Sequence, residues 1–377
     1  MKVQSIQGEG FRNLDPFYIE PDDNNVILGE NAQGKTNFIE ALWLFTGFNS
    51  FRGAKDEEFI KLEGSRAFLK LMWNDGKRDV KAEIEIRKSP KSKIKKMTFN
   101  NVVQKSRNSF IGKFKCCVFS PASLNLVEDG PESRRRFLDA AISQIRRDYA
   151  VNLSEYERMI KQRNAALKHY KNITARTDFL ETVKILDEQI SALGTVIHLL
   201  RCDYIKKIKE FATQIYAGIS KSKEKLDIIY KSTVFKDYDT CGIYNKKNVE
   251  KYYNTLQKAQ KADIAAGFTT TGIHRDEIKL ELDGVSAKSY GSQGQKRSVA
   301  IALKLGEAAV TKDVCGTPPV ILLDDILSEL DHGRREYTLN NIKGAQVFLT
   351  SCDPGNMIPL EEGKVFFVKN GKIEERG

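Results

Sequence analysis

The 377-residue chain has few of the residues that build metal or disulfide frameworks. It has six cysteines (Cys116, Cys117, Cys202, Cys241, Cys315 and Cys352) and four histidines, and no two cysteines form a C-x-x-C pair. This excludes the usual zinc spacings and leaves the cysteines expected as reduced, mostly buried thiols. Long apolar runs are also missing. None approaches the roughly 20 residues of a membrane-spanning helix, and MKVQSIQGEGF lacks the apolar centre of a secretory signal. The expected setting is the cytoplasm, with no membrane partner. Acid is scarcer than base: 50 Asp and Glu stand against 61 Lys and Arg, a formal charge of +11. A balance of that size favours an anionic partner, with nucleic acid first. A content of 41% hydrophobic and 29% charged residues is that of a folded chain, long enough for two domains.

The pattern along the chain changes twice. Val26-Ile27-Leu28 reads as a short buried strand, residues 35–47 as a helix, and DVKAEIEIR (79–87) as a half-exposed strand with period two. Asn100-Asn101 reads as a turn. From about residue 121 helices take over. Phe179, Val183, Leu186, Ile190, Leu193, Ile197 and Leu200 are spaced 4, 3, 4, 3, 4, 3, a heptad seam. Leu153, Tyr156, Ile160, Leu167 and Tyr170 offer a partner face, interrupted by Arg163. These imply a short antiparallel helical hairpin joined by KNITART (171–177), its first helix roughly 27 Å long. The last third returns to α/β: a strand through Ile278, Leu280 and Leu282, a helix over 294–313, the buried strand PPVILLDD, the strand QVFLTSC, and a closing hairpin with Asn370-Gly371 at its turn. The expected fold class is α/β, a mixed sheet with flanking helices, with an inserted helical lobe. The expected division is 1–120 with 267–377 as the α/β lobe and 121–266 as the insertion.

Residues 29–36, GENAQGKT, fit G-x-x-x-x-G-K-[ST] between a strand and a helix. Glycines let the backbone wrap phosphate oxygens with its N–H groups, and a helix N-terminus adds a favourable dipole. Gly29, Glu30, Asn31, Ala32, Gln33, Gly34, Lys35, Thr36 and Asn37 are the candidate ATP-binding residues. Lys35 is expected to reach the β- and γ-phosphates, and Thr36 to ligate Mg2+. Such a loop needs a distant acid, and Val320-Ile321-Leu322-Leu323-Asp324-Asp325 ends a buried strand in two. Asp324 is the expected metal partner and Asp325 the group that polarises attacking water, so Lys35, Asp324 and Asp325 form the candidate catalytic set. Ser292-Gln293-Gly294-Gln295 opens a helix. It suits phosphate binding by amides and equally an ordinary cap and turn.

The order of phosphate loop, long insertion, S-x-G-Q helix, acid-ended strand and Ser328-Glu329-Leu330-Asp331 resembles the ABC-type ATPases, and within them the SMC and Rad-fifty head domains. GFRNL, GENAQGKTNFIEAL, VFSPASLNLVEDGPESRRRFLDAAI, TTGIHRDEI, YGSQGQKRSVAIALKL, ILLDDILSELD and QVFLTSCD resemble, in order, the blocks of the bacterial RecF recombinational-repair family. The resemblance implies an ABC-type head and an ATP-dependent homodimer with nucleotide between two copies. Ser292, Gln293, Gly294 and Gln295 of one copy would then act on the other's nucleotide, with Asp331 near the dimer interface. It also implies a phosphate-proximal role for Arg12 and Asn13. Double-stranded and gapped DNA, RecR and RecO are the implied partners, and recombinational repair with slow ATP turnover the implied activity. On that reading Arg134, Arg135, Arg136 and the basic run 88–96 are candidate phosphate contacts.

Some positions depart from that pattern. Asp325 stands where transporters carry Glu. No histidine occurs in QVFLTSC, so Thr350 or Ser351 is nearest to the switch position. Ala122 replaces an acid, and His274 reads as functional or as a structural loop histidine. Two other classes remain for the phosphate loop: a small-molecule kinase, which would not need the S-x-G-Q helix, and a transporter ATPase subunit, which would need a switch histidine. A structural SMC-like tether would need longer coiled arms.

Overall fold

A computed structural model describes residues 1–88, 94–170, 176–235, 244–352 and 363–376. Part of the basic run 88–96, most of the 171–177 connection and Cys241 lie outside the described residues. The chain begins with β1 (Lys2–Glu9), β2 (Phe17–Ile19), β3 (Asn24–Leu28) and α1 (Lys35–Leu44). It continues with β4 (Arg66–Asn74), β5 (Asp79–Arg87), β6 (Ile94–Phe99), β7 (Val102–Val103) and β8 (Cys116–Phe119). Helices α2 (Pro121–Leu124), α3 (Pro131–Ile145), α4 (Arg147–His169) and α5 (Arg176–Ser220) follow, then β9 (Leu226–Lys231) and α6 (Lys246–Ala266). The last part contains β10 (Glu277–Leu282), β11 (Val285–Ser286), α7 (Ala287–Tyr290), α8 (Gln293–Cys315) and β12 (Val320–Asp324). It closes with α9 (His332–Asn341), β13 (Val347–Ser351), β14 (Lys364–Lys369) and β15 (Lys372–Glu375).

Two compact units result. The first holds Met1–Leu126, Phe211–Lys223 and Gln293–Gly377; the second holds Val127–Glu210 and Glu224–Ser292. The first contains an antiparallel sheet in the order β2-β1-β4-β5-β6-β7 and a largely parallel sheet in the order β15-β14-β3-β13-β12-β8. Helix α1 is buried on nearly every side, because Phe38, Ile39, Leu42 and Leu44 join one core with Leu71 and Trp73 of the first sheet and Ile27 and Phe348 of the second. From Phe38 on, Glu40 is its single polar residue, which suits that sandwiched place.

In the second unit α4 and α5 run antiparallel. Leu167 packs with Phe179 and Val183, and the Tyr170 ring lies tilted against Phe179, 4.7 Å between centroids. The implied hairpin is present, though α4 is longer than its apolar face suggested: 23 residues, about 35 Å. The strand through Ile278, Leu280 and Leu282 is β10. It pairs with β9 and β11 in a separate three-stranded sheet of the second unit. Residues 267–292 therefore cluster with the helices rather than with the two larger sheets, a partition decided by pairing with β9.

Candidate nucleotide site

The parallel sheet places the two distant motifs side by side. Strand β13 lies between β3 and β12, with Thr350 level with both Ile27 and Asp324. The loop after β3 and the acids at the end of β12 thus emerge at one edge, two strand spacings or about 10 Å apart. In the loop, Ala32 has φ 65 and Gly34 φ 123. A Cβ on Gly34 would meet Leu14 Cδ2 at 2.6 Å and Asn13 Oδ1 at 3.0 Å. That position therefore needs glycine both for its backbone angle and for its space.

Lys35 is 3% exposed at the start of α1. Its ammonium donates to the carbonyls of Gly29 at 2.7 Å and Glu30 at 3.0 Å, and to Cys352 Sγ at 3.1 Å. Among the described residues no carboxylate reaches it. Thr36 Oγ1 donates to Asp324 Oδ1 at 2.9 Å. Burial pushes the Asp324 carboxyl above its ordinary pKa; the hydroxyls of Thr36 and Thr350 oppose that shift, neighbouring Asp325 adds to it, and the charge of Arg52 opposes it. Asp325 follows at φ 50 and opens the turn Ile326–Glu329. A cavity of about 340 Å³ is lined by Asn31, Asp325, Ser328, Glu329, Thr350 and Cys352, among others.

The flanking candidates divide. Asn13 donates to the carbonyls of Ala32 (3.3 Å) and Gln33 (3.4 Å) and accepts from Asn37 at 2.7 Å, so it braces the loop. Gln33 accepts the N–H of Asn370, which ties the closing hairpin to the loop. Arg12 instead makes an ion pair with the fully buried Glu40 and lies over Phe59. Ser292 and Gln293 are exposed at the start of α8. Gly294 lies close to Arg334, whose Nε donates to Ser298 at 2.7 Å. Asp331 caps α9 through the N–H of Arg334 and pairs with that arginine. Arg297 binds Glu329. The structure therefore brings Lys35, Thr36, Asp324 and Asp325 together, and separately joins the S-x-G-Q helix to Glu329 and Asp331.

Two residues near the loop are assigned no role in the site by the sequence. Cys352, exposed, touches Lys35, Asn31 (2.8 Å) and Asp325 (3.8 Å). Arg52 Nη1 donates to Asn37 at 3.0 Å. Its place between α1 and β4 gives no local signal. Of the candidate phosphate contacts, Arg134 is buried and held by Glu277 and the carbonyls of Val127 and Asp129. Arg135 donates to the carbonyl of Asp276. Both are structural; Arg136, the third arginine of that triplet, is exposed and in an ion pair with Glu132, and Lys88 and Lys96 of the basic run are exposed as well. His274 is also structural: Nε2 faces the carbonyl of Thr269, which requires its proton there, so Nδ1 accepts from Tyr156.

Asp324 and Thr36 supply a hard carboxylate and a hydroxyl, and among the described residues no cluster of three His, Cys, Asp or Glu could hold a metal alone. That donor set fits a Mg2+ completed by phosphate oxygens.

A family model described as an AAA ATPase domain matches residues 1–323. The DNA replication and repair protein RecF of Alkaliphilus oremlandii is 33% identical, with 99% of this chain and all of that protein covered. The protein of the same name from Clostridium acetobutylicum is 32% identical, with both chains covered in full. A solved structure of the recombination mediator RecF with ATP, from the RecFOR pathway, superposes with a TM-score of 0.88 at 31% identity, covering 100% of this chain and 98% of that one. The Smc head domain of Pyrococcus furiosus, at 14% identity, TM-score 0.54 and coverage of 100% and 96%, shares the fold.

Proposed function

The chain belongs to the RecF family of DNA replication and repair proteins, and from that premise we propose that it is an ATP-driven switch. It closes as a homodimer on double-stranded or gapped DNA, releases it on slow hydrolysis, and works with RecR and RecO in recombinase loading. Its setting is the cytoplasm; among the described residues no helix is long and apolar enough to cross a membrane.

The carrying observation is Lys35. An ammonium this deeply buried is costly without a counter-charge, and among the described residues two carbonyls and a thiol hold it. A β- or γ-phosphate would supply the missing anion, with the N–H groups of the loop and of the α1 N-terminus around it. Thr36 and Asp324 would hold Mg2+, which neutralises charge on the phosphate oxygens when bound. Asp325 orients the water that attacks the γ-phosphorus and accepts its proton. Ser292, Gln293, Gly294 and Gln295 of a second copy cover the γ-phosphate, with Asp331 at that interface. This reading is supported by the separate joining of the S-x-G-Q helix to the Asp331 turn.

The test is anisotropy of a labelled duplex with ATP, ADP or no nucleotide, with sedimentation alongside. Duplex binding and dimerisation that require ATP and are lost in Ser292→Arg are expected. ATP binding with neither would instead favour a small-molecule kinase or a transporter subunit.

A further inference from the structure

We propose that Thr350 is the positioning residue that fixes both acids of the site; this rests on the roles given above to Asp324 and Asp325. Thr350 is 1% exposed and directly opposite Asp324 in the parallel register of β12 and β13. Its hydroxyl oxygen accepts the backbone N–H of Asp325 at 2.9 Å and lies 3.1 Å from Asp324 Oδ1. A hydroxyl has one proton to give. The rival acceptor, the carbonyl of Leu323, is at 3.5 Å, so the closer and charged carboxylate takes it. Thr36 donates to that same oxygen at 2.9 Å. Two hydroxyls thus set the orientation of Asp324, and one of them also grips the next residue's backbone.

That grip matters because Asp325 holds φ 50, a left-handed angle that L side chains rarely adopt. Such a conformation persists only where neighbours over-determine it. The N–H of Asp325 is held by Thr350, and its carbonyl accepts from the Ser328 hydroxyl at 2.7 Å. These two bonds aim the carboxylate toward Cys352, 3.8 Å away, on the Lys35 side of the site. Without the hydroxyl, the Asp325 amide has no acceptor, and the residue can relax to an ordinary angle that carries its carboxylate off the water. Thr350 acts through Asp324 and Asp325 and touches no reacting atom.

Two substitutions test this. Thr350→Val keeps the β-branched shape suited to a strand and removes the hydroxyl; Thr350→Ser keeps the hydroxyl. Thr350→Val is expected to lower kcat for ATP by roughly ten- to a hundredfold. KM and the affinity for a non-hydrolysable ATP analogue should stay within about threefold of the parent, and Thr350→Ser should restore kcat. Hydrogen–deuterium exchange supplies a readout independent of turnover: the peptide over 322–330 should exchange faster in Thr350→Val only. Unchanged kcat or exchange in Thr350→Val overturns the proposal, as does an equal loss of kcat and binding in both variants. Asp325→Asn, measured alongside, separates the two layers. Parental turnover in that variant overturns the role of Asp325 itself, whereas its loss beside an active Thr350→Val overturns Thr350 alone.

Discussion

One buried cation of the first unit, Lys35, is matched unlike the buried arginines of the second. In the second, Arg163 is completely buried between Asp187 and Asp263, with Thr269 on the same guanidinium nitrogen as Asp263. Arg201 is likewise buried against Asp139, Tyr149 and the carbonyl of Ile273. Each cation there has carboxylates of its own chain. In the first unit Lys304 is paired in the same way with Glu307, but Lys35, nearly as buried, meets no carboxylate among the described residues. Equal burial therefore does not mean equal purpose. A buried cation matched from within holds helices together, while one matched only by neutral dipoles is prepared for an anion from outside.

The sharpest way to break that contrast is to remove the matched charge. Arg163→Met leaves Asp187 and Asp263 buried without a cation, and should cost about 3–5 kcal/mol of stability in urea unfolding. A loss below about 1 kcal/mol would mean that the network does not hold α4, α5 and α6.

The same unit carries a pH dependence. Burial pushes His198 and His274 down to about 4. Both are lowered from an ordinary value near 6.5, so the unfolded chain takes up protons first as pH falls. Their contribution is complete above about pH 6.5 and is lost toward pH 4, on the order of 3 kcal/mol for each. Asp187 and Asp276, raised by burial, oppose part of this. Melting temperature should fall between pH 7 and 5, and His198→Phe, which keeps the stack on Phe235, should flatten that slope. A slope unchanged by the substitution would remove His198 from the account.

Lys35→Met is the converse of Arg163→Met. It should weaken ATP binding by about 2–4 kcal/mol, 30- to 1000-fold, while leaving the melting temperature equal or higher, since an unmatched buried cation is gone. Calorimetry with ATP and a thermal scan read both. A collapse of the fold with the binding would erase the distinction between Lys35 and Arg163.

This contrast was only half legible in the sequence. The phosphate loop and the acid-ended strand are local patterns, and each landed where its strand and helix context required. The hairpin was legible because a heptad is also local. Arg163, by contrast, read as an interruption of an apolar face. What makes it a hub is a pair of carboxylates on two other helices, and no spacing reports those. Arg134 misled for the same reason: a run of three arginines looks solvated until Glu277 closes on one of them. Strand β10 alternated as expected, but alternation does not say which strand it pairs with.

Arg52 gives the smallest and most selective test. It is exposed, so its removal should cost little stability, within about 1 kcal/mol. Its guanidinium nevertheless bonds Asn37, the residue after Thr36, and its charge favours the ionised form of buried Asp324. Arg52→Ala should lower ATP turnover by about five- to tenfold, near 1 kcal/mol, with Arg52→Lys intermediate because a point charge keeps the field and loses the fork. The effect should shrink at high salt, as an exposed charge is screened. Turnover unchanged at low salt would show that the field on Asp324 comes from within the buried site alone, and would sharpen the separation between matched charges that fold the chain and unmatched ones that await a ligand.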